Sequence, residues 1–513
     1  MSHRATGSEQ RQLRRVSLTA IFLLLLFASI TPASAHESWL LTPLQMLEIF
    51  DRPLDEVWHR ITLLSIGTGL VLIIGLAVAE YLDRHFQPLE QALDRRYHAT
   101  LRDWGLLILR VTLGLLLIAA ALGLNPRAGT PYLTEPTLFV PDLELSAVTS
   151  LSTVIAGLEL IVGVALLLGI YVNFASLIVI LLTLFGLFVF GPQLMLGYAG
   201  HIAAPAFLLL IEDRDRFEHI TPRDAPLEKF VQRLLPFMNL ERGLILLRVL
   251  TGLTFMYLAV NSKFLHSPQL EQIIADHSMP TFGIPPESLV FIMSAIEIAG
   301  GFALVVGIAE RLVAATLIGA MLFFALVLGE SPLLHANIFG ILLVIILLGP
   351  GYWKSDEAIR EARDRRGFGY LRIGAAAVLC VAISLSSLWA SQLREFLPNA
   401  EARLVRAEGP FQPAIETVAI EPLGSGFYRL DIDTKNFTFT TNPLPFVQDS
   451  FQGHAHVYAG PEQLITLYAS EGIVGPVPEG TTSLTVSLMN PYHCFVETEE
   501  GVLIREVPLP AEA

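Results

Sequence analysis

Six ionisable residues stand inside apolar stretches of this 513-residue chain, and they fall into two sets of three: Arg110, Glu159 and His201, then Arg248, Glu297 and His335. Leu109-Arg110-Val111 with Gly114-Leu115 matches Leu247-Arg248-Val249 with Gly252-Leu253. Leu158-Glu159 followed by Gly163 and Gly169 matches Ile296-Glu297 followed by Gly301 and Gly307, and every one of these pairs is 138 residues apart. His201 and His335 correspond only across a four-residue gap. A carboxylate inside an apolar helix costs several kcal/mol unless it is neutral, paired or turned to a wet cavity. One reading makes an Arg–Glu pair in each set, with the histidine above it to accept a proton or a hydrogen bond. The other makes the arginines helix-end anchors that snorkel to an interface, the glutamates packing devices and the histidines interfacial groups.

A second group with chemical capacity lies near the C-terminus. Gly453-His454-Ala455-His456-Val457-Tyr458 places two imidazoles on one face of a strand, because side chains alternate with period two. Two neutral imidazoles on one face are half of a site for copper, zinc or nickel. Asn490-Pro-Tyr-His493-Cys494 follows a later strand and offers a third nitrogen and a thiolate. The alternatives are two histidines that hydrogen-bond within a polar strand face, or an organic ligand.

The elements that position these residues follow from composition. The chain is 53% hydrophobic and 16% charged, with a mean hydropathy of +0.57, which no ordinary soluble protein has. Apolar runs long enough to span a bilayer occur near 61–80, 106–124, 149–171, 172–191, 197–211, 244–261, 288–309, 312–329, 333–350 and 371–391, ten candidate spans. The connecting segments on one side carry sixteen Lys or Arg and those on the other carry four, Arg52, Arg60, Arg127 and Lys263. The cation-rich side is the inner one, so the C-terminal tail lies outside. From about 410 to 510 that tail shows alternating segments divided by Pro and Gly, among them 427–433, 436–441, 464–468 and 483–489, which read as an antiparallel sandwich.

The fold expected is therefore a polytopic α-helical membrane protein of about ten spans, with two repeated four-helix modules, plus a C-terminal all-β sandwich. Its divisions are a signal peptide at 1–35, an external N-terminal segment at 36–60, a transmembrane helix at 61–80, a first module at 104–217, a second module at 242–353, a transmembrane helix at 371–391 and the β domain at 400–513. The signal is read from Arg4, Arg11, Arg14 and Arg15, the apolar run 16–30 and Ala33-Ser34-Ala35, with an uncleaved anchor as the alternative. Cleavage would leave His36 first, whose amine and imidazole together can chelate copper; the same segment, with Trp39 and Trp58, also suits the membrane surface.

The formal charge of −15 argues against nucleic acid as a partner. Two cysteines support no disulfide framework. No Gly-rich phosphate loop, Cys-x-x-Cys, His-Glu-x-x-His or Gly-x-Ser-x-Gly is present, so nucleotide hydrolysis, thiol exchange, zinc proteolysis and acyl transfer lack their usual carriers.

Leu246-Leu-Arg-Val-Leu-Thr-Gly252, Ser262-Lys263-Phe264, Glu297 with Gly300-Gly301, Gly307, Glu310-Arg311 and Leu348-Gly349-Pro350-Gly351 together resemble the DoxX family of four-helix bacterial membrane proteins. The resemblance covers about 244–352, and 106–217 as a diverged copy that has Leu124-Asn125-Pro126 in place of Ser-Lys-Phe and lacks the closing Gly-Pro-Gly. It implies the bacterial inner membrane and a place in a quinone-linked or sulfur-linked redox system, as a non-catalytic or quinone-reacting subunit that takes electrons from a partner subunit. Glu297, Arg248 and His335, with Glu159, Arg110 and His201, would then face a quinone or relay protons. The stretch 425–508 is similar to periplasmic cupredoxin-like domains in which a His-x-His strand faces a later histidine, although no single ligand loop carries both Cys and Met. That likeness implies the alternative role: a membrane-anchored protein that binds copper through His454, His456, His493 and Cys494.

Overall fold

The computed structural model describes residues 62–122, 149–190, 199–211, 225–234, 239–264, 267–276, 279–328, 332–349, 404–439, 451–490 and 495–510, less a few single positions, together with residues 45 and 378. The signal peptide, nearly all of the 36–60 segment and of the 371–391 span, and both His493 and Cys494 lie outside the described residues.

The helical part runs α1 (Thr62–Ala121), α2 (Thr149–Leu168), α3 (Val172–Phe190), α4 (Ala199–Leu210), α5 (Ala225–Leu234) and α6 (Leu240–Leu258). A π-helical turn, Ala259–Phe264, then leads to α7 (Ser267–Asp276), α8 (Pro286–Val306), α9 (Glu310–Leu328), a 3-10 turn (Pro332–His335) and α10 (Ala336–Leu348). Among the described residues, Ala99–Ala121, Pro286–Val306 and Glu310–Val327 are long and apolar enough to cross a membrane. Shorter apolar stretches among the described residues include Val154–Leu168, Val172–Phe185, Ala199–Leu210 and Ala336–Leu348.

One element differs from the sequence expectation. The charged stretch 81–105 was expected to loop between separate spans, yet α1 runs through it as one helix of 60 residues. At 1.5 Å per residue such a helix is roughly 90 Å long, three times a bilayer core. The stretch holds four Leu and four Arg with two Ala and two Gln, which lose little side-chain freedom in a helix, so charge alone does not end it.

The bundle core is formed by Leu106, Leu109, Leu113, Leu116 and Leu117 of α1, by Ala203, Ala204 and Phe207 of α4, by Leu244 and Leu247 of α6 and by Ile341, Leu342 and Ile345 of α10. Two helix crossings in it are alike. A Cβ added at Gly114 would lie 2.8 Å from the Gly163 carbonyl oxygen, and one at Gly252 would lie 2.5 Å from that of Gly301. Both crossings need glycine because backbone meets backbone. The helices also pack reciprocally: Gly105 of α1 meets Leu348 of α10, and Gly243 of α6 meets Phe207 and Ile211 at the end of α4. Each set's first helix therefore lies against the other set's last.

Among the described residues the C-terminal region from 404 is strand and turn, without helix. Its larger sheet has eight strands, β1 (Leu404–Arg406), β4 (Thr438–Phe439), β5 (Gln452–Ala459), β6 (Glu462–Leu467), β8 (Ser483–Met489), β9 (Phe495–Thr498), β10 (Gly501–Val502) and β11 (Ile504–Pro508), with the main order β1-β9-β8-β5-β4. The smaller sheet is β2 (Ala414–Gly424), β3 (Phe427–Lys435) and β7 (Glu471–Val474), in the order β2-β3-β7. One apolar cluster draws on both, with Leu430, Ile432 and Val474 from the small sheet and Ala455, Val457, Leu484, Val486 and Leu488 from the large one. Period two in the sequence produces this: the alternate residues of β3, Tyr428, Leu430 and Ile432, are all buried.

Candidate functional site

The intramembrane polar residues separate along the helix axes rather than converging. The Gly252–Gly301 contact is a fixed point between α6 and α8. Arg248 lies four residues to one side of it on α6, and Glu297 four residues to the other side on α8. At 1.5 Å per residue these levels are about 12 Å apart along the axes. The expected Arg–Glu pair is therefore replaced by two ion pairs, one at each end of the second helix set.

Where α8 ends, Arg248 Nη1 donates to Glu310 Oε1 at 2.8 Å, and both side chains are nearly buried. Glu310 is the first residue of α9, and α8 ends at Gly307 with φ +79°. A side chain at 307 would press on the Arg248 guanidinium and come within 2.7 Å of the Glu310 carboxylate. Glycine is required there twice, for its backbone angle and for the space the pair fills. In the first set the corresponding arginine reaches backbone carbonyls. Arg110, 1% exposed, donates to the carbonyls of Leu166 at 2.5 Å and Leu167 at 3.1 Å, the last turn of α2. A cation on orphan C-terminal carbonyls is favoured by the helix dipole. The position 138 residues before Glu310 is Val172, so the acid belongs to the second set alone.

Beyond the end of α6, Lys263 Nζ donates to Glu297 Oε1 at 2.5 Å. The π-helical turn Ala259–Phe264 carries this lysine; widening the last turn re-aims the residues it holds, and such turns often mark functional sites. The ammonium also lies over the Phe324 ring, 5.3 Å from its centroid. Phe324, like Met293 of α8, packs against a cluster of Leu270 and Ile274 of α7, Met279, and Val290 of α8. The short amphipathic helix α7 thus helps wall the pair, and Asp276 at its end accepts from Gln45 at 3.1 Å and from Gln272 at 2.9 Å. Phe264 of the π-helical turn packs on Phe291 of α8 with ring centroids 6.1 Å apart.

Glu159, the counterpart of Glu297, is fully buried on α2. The residue 138 positions before Lys263 is Asn125, so the lysine, like Glu310, is present in one copy. His201 is buried in the first turn of α4, next to Gly200, whose N–H donates to Thr254 Oγ1 of α6 at 2.9 Å. His335 ends the 3-10 turn and stands at the N-terminus of α10, half-buried. Sequence reasoning named Arg248 and Glu297 but missed their partners Glu310 and Lys263 and the wall residue Phe324. The departure Leu124-Asn125-Pro126 was the available signal for Lys263, because it marks where the copies differ.

In the strand domain, His454 and His456 are brought together as their spacing requires. Their Nε2 atoms are 3.1 Å apart and both rings are buried. Among the described residues no group of three or more His, Cys, Asp and Glu side chains is placed to hold a metal ion.

No curated protein and no solved structure matches the chain. Residues 243–330, which hold Arg248, Lys263, Glu297 and Glu310, match the family model described as DoxX, and with the apolar helices this marks a membrane protein.

Proposed function

We propose that the chain is a multi-pass protein of the bacterial inner membrane, built from two tandem DoxX-type modules with an external β-sandwich domain, and that it serves as a membrane subunit of a quinone-linked or sulfur-linked redox system. The repeated Gly114–Gly163 and Gly252–Gly301 crossings, at one offset, support the two modules. The excess of sixteen cations over four on one side supports the orientation. One observation carries the functional reading: the Lys263–Glu297 pair, nearly buried between a π-helical turn and an aromatic wall.

A buried ion pair seldom repays its desolvation, so one held in a distorted helix is better explained by what it does than by stability. A quinone headgroup offers two carbonyl oxygens and a flat ring. Lys263 would donate to one oxygen and Phe324 would stack on the ring. Reduction to the quinol takes two electrons and two protons. Electrons come from a partner subunit, and Glu297, separated from Lys263 by the headgroup, would pass protons. His335 and His201 are the further proton-handling groups in this reading. Arg248 and Arg110 hold the inner helix ends, with Glu159 as the counterpart carboxyl of the first module.

The test is quinone-dependent electron transfer in membranes that carry the protein. Glu297→Gln should lower it by about a hundredfold or more, the span of a lost proton-transfer group. Equal rates in the two membranes end the proposal.

A further inference from the structure

The chain between α4 and α6 leaves and rejoins the bundle at one surface. A Cβ at Gly243, in the first turn of α6, would lie 2.7 Å from the Phe207 ring and 2.9 Å from Ile211, where α4 ends. The two ends of the connecting segment are therefore pinned side by side. The helix α5 within it is about 15 Å long, half the thickness of a bilayer core, so it lies at that surface and does not cross. In the two-module reading Gly105, 138 residues before Gly243, stands at the same level of α1. Next to it, just before the apolar stretch Ala99–Ala121, Tyr97 is 43% exposed and the Arg96 guanidinium carbon is 5.5 Å from its ring centroid. Exposed aromatic rings beside cations suit the boundary between headgroups and acyl chains.

The sequence of α5 is divided lengthwise. Leu227, Phe230, Val231 and Leu234 recur at i, i+3, i+4 and i+7 as one apolar stripe, while Glu228, Lys229, Gln232 and Arg233 take the other side. The fold covers only part of that stripe: Leu227 is half-buried, yet Phe230 is 59% exposed. Lys229 and Arg233 are exposed as well. With 3.6 residues per turn, Arg233 and Lys229 stand about 60° and 100° around the helix from Phe230, and Glu228 about 160° away. An exposed ring bordered by two long cations matches a phospholipid: the ring enters the acyl chains while the ammonium and guanidinium reach up to phosphate.

We propose that α5 is an in-plane membrane anchor between the two helix sets, with Phe230 among the acyl chains and Lys229 and Arg233 on the headgroups of anionic phospholipid. Within α5 the cations, and not the acid, border the exposed ring, so an anionic headgroup is preferred to a zwitterionic one. The anchor goes beyond the redox reading and uses no residue of the Lys263–Glu297 site. It requires only that α4 and α6 sit in a bilayer.

The experiment uses the full-length protein with Cys380→Ser and Cys494→Ser, carrying a nitroxide on Phe230→Cys or on Gln232→Cys, in nanodiscs of phosphatidylcholine alone or mixed with phosphatidylglycerol. In the mixed discs the label at 230 should be relaxed by oxygen and shielded from a water-soluble nickel chelate, and the label at 232 should show the reverse. Each cation near an anionic surface changes binding about fivefold. Lys229→Gln/Arg233→Gln should therefore lower the ratio of lipid-inserted to water-exposed label at 230 by about 25-fold. Equal nickel access at 230 and 232 overturns the proposal. A label at 230 shielded from both relaxants overturns it too, because that marks a protein partner. An inserted fraction that is the same in both lipid mixtures, or unchanged in the double variant, refutes the anionic headgroup. Because Phe230 is exposed, labelling it leaves the packing of the bundle untouched.

Discussion

Replacing Gly301 by alanine tests the helix crossing on which the placement of the site depends. The new Cβ would lie 2.6 Å from the Gly252 carbonyl oxygen, 2.9 Å from Met256 Cγ and 3.1 Å from the Met256 nitrogen. Ordinary carbon contacts begin near 3.5 Å, so α6 and α8 would have to part by about 1 Å. Overpacking of this kind costs about 1–3 kcal/mol, whereas alanine in place of a helical glycine gains about 0.5–1 kcal/mol. Two of the three opposing atoms are backbone and cannot rotate away, so the clash prevails and the net loss should be about 1–2 kcal/mol. Gly319 of α9 is the control, because a Cβ there meets nothing within 4 Å. Gly319→Ala should gain up to about 1 kcal/mol from helix propensity alone. The assay is unfolding of the purified protein in mixed micelles of rising dodecyl sulfate content, followed by helical circular dichroism. The two variants should shift the midpoint in opposite directions. A Gly301→Ala protein as stable as Gly319→Ala would refute the close approach of the two helices.

Two further outcomes follow from the same contacts. Lys263→Met should cost about 2–4 kcal/mol in that assay, because it leaves the Glu297 carboxylate nearly buried beside an apolar group; adding Glu297→Leu should recover most of the loss, and a purely additive double variant would count against a direct pair. Asn239→Ala should cost about 1 kcal/mol, since the Asn239 side chain accepts from the Arg242 N–H at 3.0 Å and caps α6; no change in the midpoint would remove the cap from the account.

The helices of the bundle were legible because an apolar run of such length admits few other structures, and the glycines because they recur at one offset. The pairing of charges was not. Lys263 and Glu297 are 34 residues apart on separate elements, and the π-helical turn that aims the lysine leaves no simple periodic mark. Arg248 looked like a partner for Glu297 only while helix level was ignored. The glycine contact sets that level, and it belongs to tertiary packing. In the strand domain, period two anticipated β3 and β8 well. Of the expected strand 436–441, Thr438–Phe439 is strand and Asn436 before it takes a positive φ of 54°, while 440–441 lie outside the described residues. His454 and His456 were legible as neighbours on one face, but their burial was not, because that face is covered by elements that the strand's own pattern does not describe.

In the two-module reading proposed above, the reciprocal packing of α1 with α10 and of α6 with α4 corresponds to the plan of a symmetric dimer whose subunits are joined end to end. In a true homodimer every substitution appears twice. Here a change on one side is not copied to the other, and the two sides differ where chemistry is possible: lysine and asparagine at 263 and 125, glutamate and valine at 310 and 172. A joined pair can keep one half as a frame and let the other specialise. The asymmetry in charge is the trace of that freedom.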